Sequence, residues 1–423
     1  MRQAPRFKLR QYQAALLVLA TVTVAAGCGD SPVAPEQPEV GRAPAPALLV
    51  TAALSFRQIS AGMYHSCGVT YENIAYCWGA DGVGQLGDGA VNTSFRSRPV
   101  AVAGGLLFLM VSAGFDHSCG VTTQNQVYCW GSNSRGQLGI GSFGDDHSTP
   151  VLVSGQPPSS LRFSFVTAGY VHTCAIHLSG SAWCWGNNGN GRLGDGTTTE
   201  RPWPTPVQGG LLFRRIAAGG YHTCGVTTGF RAYCWGRNEQ GQLGDGTLTS
   251  RHKPVPVAGG LNFHWVSTKS ANISFKWQSS SCGVSGGGKA YCWGSNLHGQ
   301  LGDGSHTQRT RPVAVKGGLS FAQVNTGGGH TCGVTLTNLA YCWGWNGRGQ
   351  LGDGTLTERI SPRAVSGGHL FRAVPTAGGY AGGHTCALTQ GDAAFCWGYN
   401  GFGQVGDGST TDRKVPTAVV GPS

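Results

Sequence analysis

Charge is scarce in this chain: Asp, Glu, Lys and Arg make up 12% of its 423 residues. Together with 71 glycines, that scarcity does not suit a helical protein, which needs charged outer faces and loses about 1 kcal/mol at each interior glycine. Long apolar runs are also missing. The run at residues 14–26, AALLVLATVTVAA, has thirteen residues, short of the about 20 that a spanning helix requires. Cysteines with the short internal spacing of structural zinc sites are absent. No glycine-rich loop carries the lysine of a phosphate loop or the alternating carboxylates of an EF-hand. No nucleophile stands out beside a base, and no carboxylate pair departs from the surrounding pattern in one or two places. The adjacent Asp145 and Asp146 in GDDH do not converge and read as a solvated loop. No enzyme, no cofactor and no metal site is expected.

What fills the chain instead is repetition. Residues 332–354, CGVTLTNLAYCWGWNGRGQLGDG, recur in six other near-copies. Self-similarity at about 50 residues marks a propeller or a solenoid. Fourteen of fifteen cysteines form seven pairs with spacing ten: Cys67 and Cys77, Cys119 and Cys129, Cys174 and Cys184, Cys224 and Cys234, Cys282 and Cys292, Cys332 and Cys342, Cys386 and Cys396. Trp, Tyr, Val and Thr run between Gly, Asn and Asp, which reads as short strands joined by tight turns.

The unpaired cysteine, Cys28, follows the apolar run. Residues 1–13 hold Arg2, Arg6, Lys8 and Arg10 and no acidic residue, so residues 1–27 read as a signal peptide. Its end, Ala25-Ala26-Gly27-Cys28, resembles the bacterial lipoprotein signal, with Ala25 where that family usually has Leu. The resemblance implies that Cys28 is lipidated, and Gly29 after it points to the outer membrane or cell surface, with the periplasm as alternative. Residues 28–55, rich in Pro and Ala, cannot build a core and read as an extended tether. Without the four leader charges, 26 basic residues face 19 acidic ones. So small and scattered an excess argues against nucleic acid, and membrane contact is expected only through the N-terminal lipid.

Residues 56–423 carry the repeats. In the fourth, strands are expected at 213–217, 222–227, 231–235 and 254–257. The second and third form a hairpin in which Cys119 opposes Cys129 and Val121 opposes Val127, and directly opposed Cα atoms stand about 4.5–5.5 Å apart, within disulfide reach. Each bridge closing a ten-residue loop adds at most about 2.5–3 kcal/mol on a chain-entropy argument. Buried free thiols and zinc ligation are the competing states, and paired cysteines suit an oxidising compartment. Seven four-stranded units should close into an all-β, seven-bladed β-propeller. Its last strand, near residues 415–420, is expected to join the blade containing Phe56 and seal the ring, with residues 47–53 as competitor.

The patterns AGxxHxCxVT, YCWGxNxxGQLGDGT and RPxxV resemble the repeat of the regulator of chromosome condensation, from Phe56 to about Val420. That resemblance implies a seven-bladed propeller with four-stranded blades. The founder of the family is a nucleotide-exchange factor for a nuclear small GTPase and touches chromatin, and secreted relatives bind β-lactamases. An export signal and paired cysteines depart from the founder, and no counterpart of its GTPase-contacting segment is present, so none of its functional residues is carried over.

Residues repeated in every unit read as structural. The GQLGDG turns need glycine for positive φ, and their Asp should bond turn amides. The seven CWG tryptophans suit packing between blades. His65, His117, His172, His222, His330 and His384, each two residues before a cysteine, should bond the next blade's backbone; repeat five has Ser280 there. Function is expected where copies disagree. From the first-strand Phe to the cysteine is eleven residues in five repeats, nineteen in repeat five and fifteen in repeat seven. The eight extra residues of repeat five form a candidate binding loop of Lys269, Asn272, Phe275, Lys276 and Trp277. The expected function is a monomeric, non-catalytic propeller binding another protein, with a glycan as the alternative partner and nucleotide exchange implied by resemblance only.

Overall fold

The computed structural model describes residues 54–90, 94–154, 161–273, 276–376 and 383–422, with the side chains of 271–273, 276 and 277 outside that description. Alternation of apolar and polar residues over five to seven positions, bounded by glycine turns, produces strands, and no helix occurs among the described residues. The strands fall into seven antiparallel sheets of four, each made of four consecutive strands. This is the expected seven-bladed propeller. In blade four the strands are Phe213–Ala218, His222–Thr227, Ala232–Gly236 and Arg251–Pro256, so the fourth begins three residues earlier than expected.

The expected seal is not the one observed. Arg413–Ala418 pairs with Ala394–Gly398 of its own repeat and completes blade seven. Blade one is likewise complete in itself. Each repeat supplies all four of its strands, so no edge is left for a strand from the other terminus. The ring closes by side-to-side packing instead. Phe56 and Trp78 of blade one pack against Leu388, Val405 and Val419 of blade seven. Polar contacts lock that joint: the Phe56 N–H donates to the Asp392 carbonyl at 3.0 Å, and Arg372 donates to the carbonyls of Phe56 and Arg57 at 2.8 and 3.0 Å. Residues 47–53 lie outside the described residues.

Every blade interface repeats one plan. The CWG tryptophan is fully buried against the preceding blade, beside that blade's disulfide-distance cysteines and the Leu or Val of its GQLGDG loop. Burying a tryptophan removes about 150–250 Å² from water, worth at most about 4–6 kcal/mol. A single hydrogen bond nets about 1 kcal/mol, so packing dominates each joint and polar contacts fix its register. The loop glycine that meets the tryptophan cannot be replaced without strain. Gly352 has φ 67°, and a Cβ there would lie 2.6 Å from Trp397 Nε1.

The first strand of each blade lines a central bore. Its burial alternates beyond a bulge directly after the Phe, so that in Phe56–Ala61 the side chains of Ile59 and Ala61 enter the core while Gln58 and Ser60 face the bore. Turns between strands one and two, and loops between strands three and four, share one face of the ring. Turns between strands two and three lie on the opposite face. These are called the loop face and the hairpin face below.

Candidate functional site

The repeated residues take structural posts. All seven cysteine pairs stand at disulfide distance, with Sγ atoms 2.06–2.14 Å apart and Cα atoms 4.0–4.1 Å apart. The Cα separation falls short of the expected about 4.5–5.5 Å, because each pair sits at a close, non-hydrogen-bonded position of the hairpin. Loop aspartates tie their own turns. Asp245 accepts from the Thr247 amide and hydroxyl at 2.9 and 2.8 Å and from Arg251 at 3.1 Å. Burial works to raise its pKa, but the Thr247 and Arg251 contacts prevail and hold it below the usual carboxylate value. In GDDH, both aspartates are exposed, and Asp146 also caps the Asn133 amide at 2.8 Å.

The histidines hold the ring together, but through hydroxyls and not through backbone as expected. His65 Nε2 meets Ser118 Oγ of the next blade at 2.8 Å, and His117, His172, His222, His330 and His384 repeat the contact with Thr173, Thr223, Ser281, Thr385 and Ser66. The Ser118 hydroxyl donates its one proton back to the Gln85 carbonyl at 2.9 Å, which also accepts from Trp130 Nε1 at 3.0 Å. With that proton committed, imidazole must be the donor, which fixes the neutral Nε2–H tautomer. Burial, reinforced by neighbouring histidines and Lys269, pushes His65 and His384 down to about 3. This tautomer leaves the lone pair on His65 Nδ1 unused, and among the described residues no three His, Cys, Asp or Glu side chains come together as a metal ion would need.

The candidate segment of blade five is not a loop. The first two strands extend to Phe263–Ile273 and Lys276–Ser285 and keep pairing, through Lys269↔Ser280 and Asn272↔Trp277, to Ile273↔Lys276. Compared with blade four, the first strand is five residues longer and the second four, with the turn between them one shorter, and the unbroken pairing carries the alternation of inward and outward faces along the added length. Lys269 therefore does not project from the surface. It follows Trp265 and Ser267 on the inward face and lines the bore. Phe275 and the side chains of Asn272, Lys276 and Trp277 fall outside the described residues, as does Cys28.

The structure brings together a set of residues that the sequence reading passed over. On the loop face, Tyr221, Tyr170, Phe115 and Tyr64 form a line of rings with neighbouring centroids 6.0, 3.9 and 5.9 Å apart. Tyr64 continues the line to Phe402 at 5.3 Å and Tyr399 at 6.5 Å. Six rings thus cross blades four, three, two, one and seven, all of them half-buried. Arginines stand over both ends: Arg192 and Arg237 lie 4.9 and 5.4 Å from the Tyr221 ring centre, and Arg348 lies 5.5 Å from that of Tyr399. Beside Phe115, burial and the nearby Asp146 raise Asp116 to about 7. The signal was present in the variable positions of AGxxHxC, where blades one to four carry Tyr64, Phe115, Tyr170 and Tyr221 and blade six only glycine, and in those of WGxNxxGQ, where blade seven carries Tyr399 and Phe402.

A rigid ring of near-identical blades that diverge mainly on one face defines a scaffold class, the closed RCC1-type propeller. The RCC1-like domain matches residues 24–380, and the regulator of chromosome condensation (RCC1) repeat matches residues 382–404. The chain belongs to the RCC1-like domain family. It is 33% identical over 136 residues to the human probable E3 ubiquitin-protein ligase HERC6, covering 32% of this chain and 13% of that protein. It is 31% identical over 150 residues to the ultraviolet-B receptor UVR8 of Arabidopsis thaliana, covering 35% of this chain and 33% of the receptor. The matches thus span a third or less of either relative. Human WBSCR16 superposes with a TM-score of 0.70 at 19% identity, covering 82% of this chain and 94% of that one. Yeast RCC1 (Prp20), solved bound to Kap60, superposes with a TM-score of 0.70 at 20% identity, covering 84% and 85%. At such identities the likeness is one of fold.

Proposed function

We propose that this protein is a non-catalytic, protein-binding propeller that engages its partner through the loop face. The observation that carries the reading is the six-ring arc from Tyr221 to Tyr399 with arginines at both ends. Tyr, Phe and Arg are the residues enriched at the energetic centres of protein interfaces, and rings already packed on a rigid ring lose little conformational freedom on binding. Fold relatives support the reading, since one structure shows yeast RCC1 (Prp20) bound to Kap60 and another concerns the binding of Prp20p to Gsp1p and histones. Those partners belong to those proteins and are not transferred to this chain.

The chain is further proposed to be exported and tethered at the cell envelope by a lipid on Cys28, with residues 28–55 as spacer. The charged start, the thirteen-residue apolar run and the seven cysteine pairs support this. The test is cross-linked capture from native cells with the mature domain and its Phe115→Ala, Tyr170→Ala double variant. Capture should fall at least tenfold, with the thermal midpoint kept within about 3 °C. Unchanged capture would sink the loop-face reading. Loss of capture in a Phe275→Ala, Trp277→Ala variant alone would move the contact to the blade-five hairpin. A glycan is the second reading, because the same half-buried rings can stack on sugar faces; saturable binding on a glycan array, lost in the Phe115 and Tyr170 variant, would select it.

A further inference from the structure

The bore opens toward the hairpin face as a cavity of about 350 Å³ and narrows to one of about 130 Å³ that shares its wall. The wider part alone reaches the lower range of small-molecule sites. Three cationic residues line the bore: Arg57, Arg215 and Lys269. Among the described residues no Asp or Glu lines it, and the sequence of residues 377–382 contains none. Arg57 is committed to the carbonyls of Phe108 and Leu109, at 2.7 and 2.6 Å. Arg215 and Lys269 have no hydrogen-bond acceptor and no carboxylate partner among the described residues. Arg215 lies in the mouth, its guanidinium 3.2 Å from the centre of the Trp265 ring and 5.8 Å from that of Phe165.

Lys269 lies at the other end. It stands four residues beyond Trp265 on the same strand face, roughly 13 Å further along the bore, where among the described residues only blade five has a first strand long enough to reach. It lines the narrow part of the bore together with Ala61, Ala113, Ala168, Ala218, Thr326 and Thr376 from the six other blades, which places it near the ring axis. Between the two cations the throat is hydroxyl-lined. Ser60, Ser112, Thr167 and Ser267 each accept a backbone N–H from an adjoining blade, from Ala113, Ala168, Ala218 and Thr326. With their lone pairs used in this way, each hydroxyl keeps its own O–H to donate into the bore.

From these observations we infer that the bore is a binding site for a small organic dianion, held at one acidic end by Arg215 and at the other by Lys269 and the hydroxyl ring. Two separated cations without counter-charge in a low-dielectric wall favour a ligand that supplies both negative charges. Lys269 also lines a small cavity with Phe115 and Tyr170 of the loop-face arc, and the two proposals are told apart by their readouts, titration with a small dianion for the bore and protein capture for the arc. The test is isothermal titration of the mature domain with adipate, hexanoate, 1,6-hexanediol and inorganic phosphate. Adipate should bind with Kd below about 1 mM. Hexanoate should bind at least tenfold more weakly, and neither the diol nor the compact phosphate should bind comparably. Lys269→Met should weaken adipate binding at least tenfold, while Lys269→Arg keeps it within threefold. Arg215→Met should bring adipate down to the affinity of hexanoate. Absence of adipate binding, equal binding of hexanoate, diol or phosphate, or indifference to both Lys269→Met and Arg215→Met would overturn the proposal.

Discussion

The joint between blades five and six differs from the joint between blades two and three in a single clasp position. At the latter, His117 reaches Thr173 at 2.9 Å, Thr173 donates to the Gln137 carbonyl at 2.8 Å, and Trp185 Nε1 donates to the same carbonyl at 2.9 Å. At the former, Ser280 stands in for the histidine, while Thr331 and Trp343 still donate to Gln300 at 2.8 and 3.0 Å. Other contacts bridge this joint. Trp265 Nε1 donates to the Val324 carbonyl at 2.9 Å, and the Thr326 hydroxyl donates to the Ser280 carbonyl at 3.5 Å. Tryptophan burial is the same at both, with Trp185 and Trp343 fully enclosed. The comparison teaches that the histidine is dispensable where a longer strand supplies the register. It also shows where the ring has been released to do something else, because the released blade is the one that sends Lys269 into the bore.

Acid should separate the two joints most strongly. His65, His117, His222 and His384 are pushed by burial to about 3, and His172 well below its ordinary value. A histidine whose folded pKa lies below its unfolded value of 6.5 binds its proton first in the unfolded chain. The stability it permits is therefore complete above about 6.5 and is lost as pH falls from there toward 3. Each such histidine contributes a loss of about 1.4 kcal/mol per pH unit through that window. Loop carboxylates such as Asp245, held below the ordinary value, add their own loss only at lower pH. Denaturant midpoints between pH 7 and 4 should fall steeply. Hydrogen exchange over the same range should open the amides at Thr173 and Thr223 before that at Thr331. Simultaneous opening of all three would show that the clasp does not govern the joints separately.

Much of this was legible in the sequence, and what was not has physical reasons. Blade number, strand order within each blade and the cysteine pairing followed from repeats whose period and hairpin symmetry admit one arrangement. The seal was misread because sequence shows a last strand but not whether its own blade still needs it. Lys269 was misread because an insertion of even length can extend a ladder as readily as it can bulge into a loop, and both look alike in one dimension. The aromatic arc was missed because its members come from five blades. Phe115 and Tyr170 are 55 positions apart in sequence and 3.9 Å apart in space.

Next in size is the direct removal of one clasp. His117→Ala leaves a void beside the buried Thr173 and removes its imidazole donor, an expected cost of about 2 kcal/mol in urea unfolding. Trp130→Phe keeps most of the apolar area but loses the bond to Gln85, and should cost about 1–2 kcal/mol. If His117→Ala cost less than a few tenths, the histidines would be fillers and not clasps.

The coupling itself is smaller and more discriminating. A double-mutant cycle of His117→Ala with Thr173→Ala should show an interaction of about 1 kcal/mol, because the two side chains share one hydrogen bond. The matching cycle at the exceptional joint, Ser280→Ala with Thr331→Ala, should show none within about 0.3 kcal/mol. The Ser280 hydroxyl finds no partner there among the described residues, so its removal also relieves an unsatisfied buried group. Ser280→Ala should therefore be neutral or slightly stabilising, by up to about 1 kcal/mol. A destabilisation above 1 kcal/mol, or coupling to Thr331, would mean that the serine does part of the histidine's work. The longer strand of blade five would then not be what holds this joint, and the reason for Lys269 entering the bore would have to be sought elsewhere.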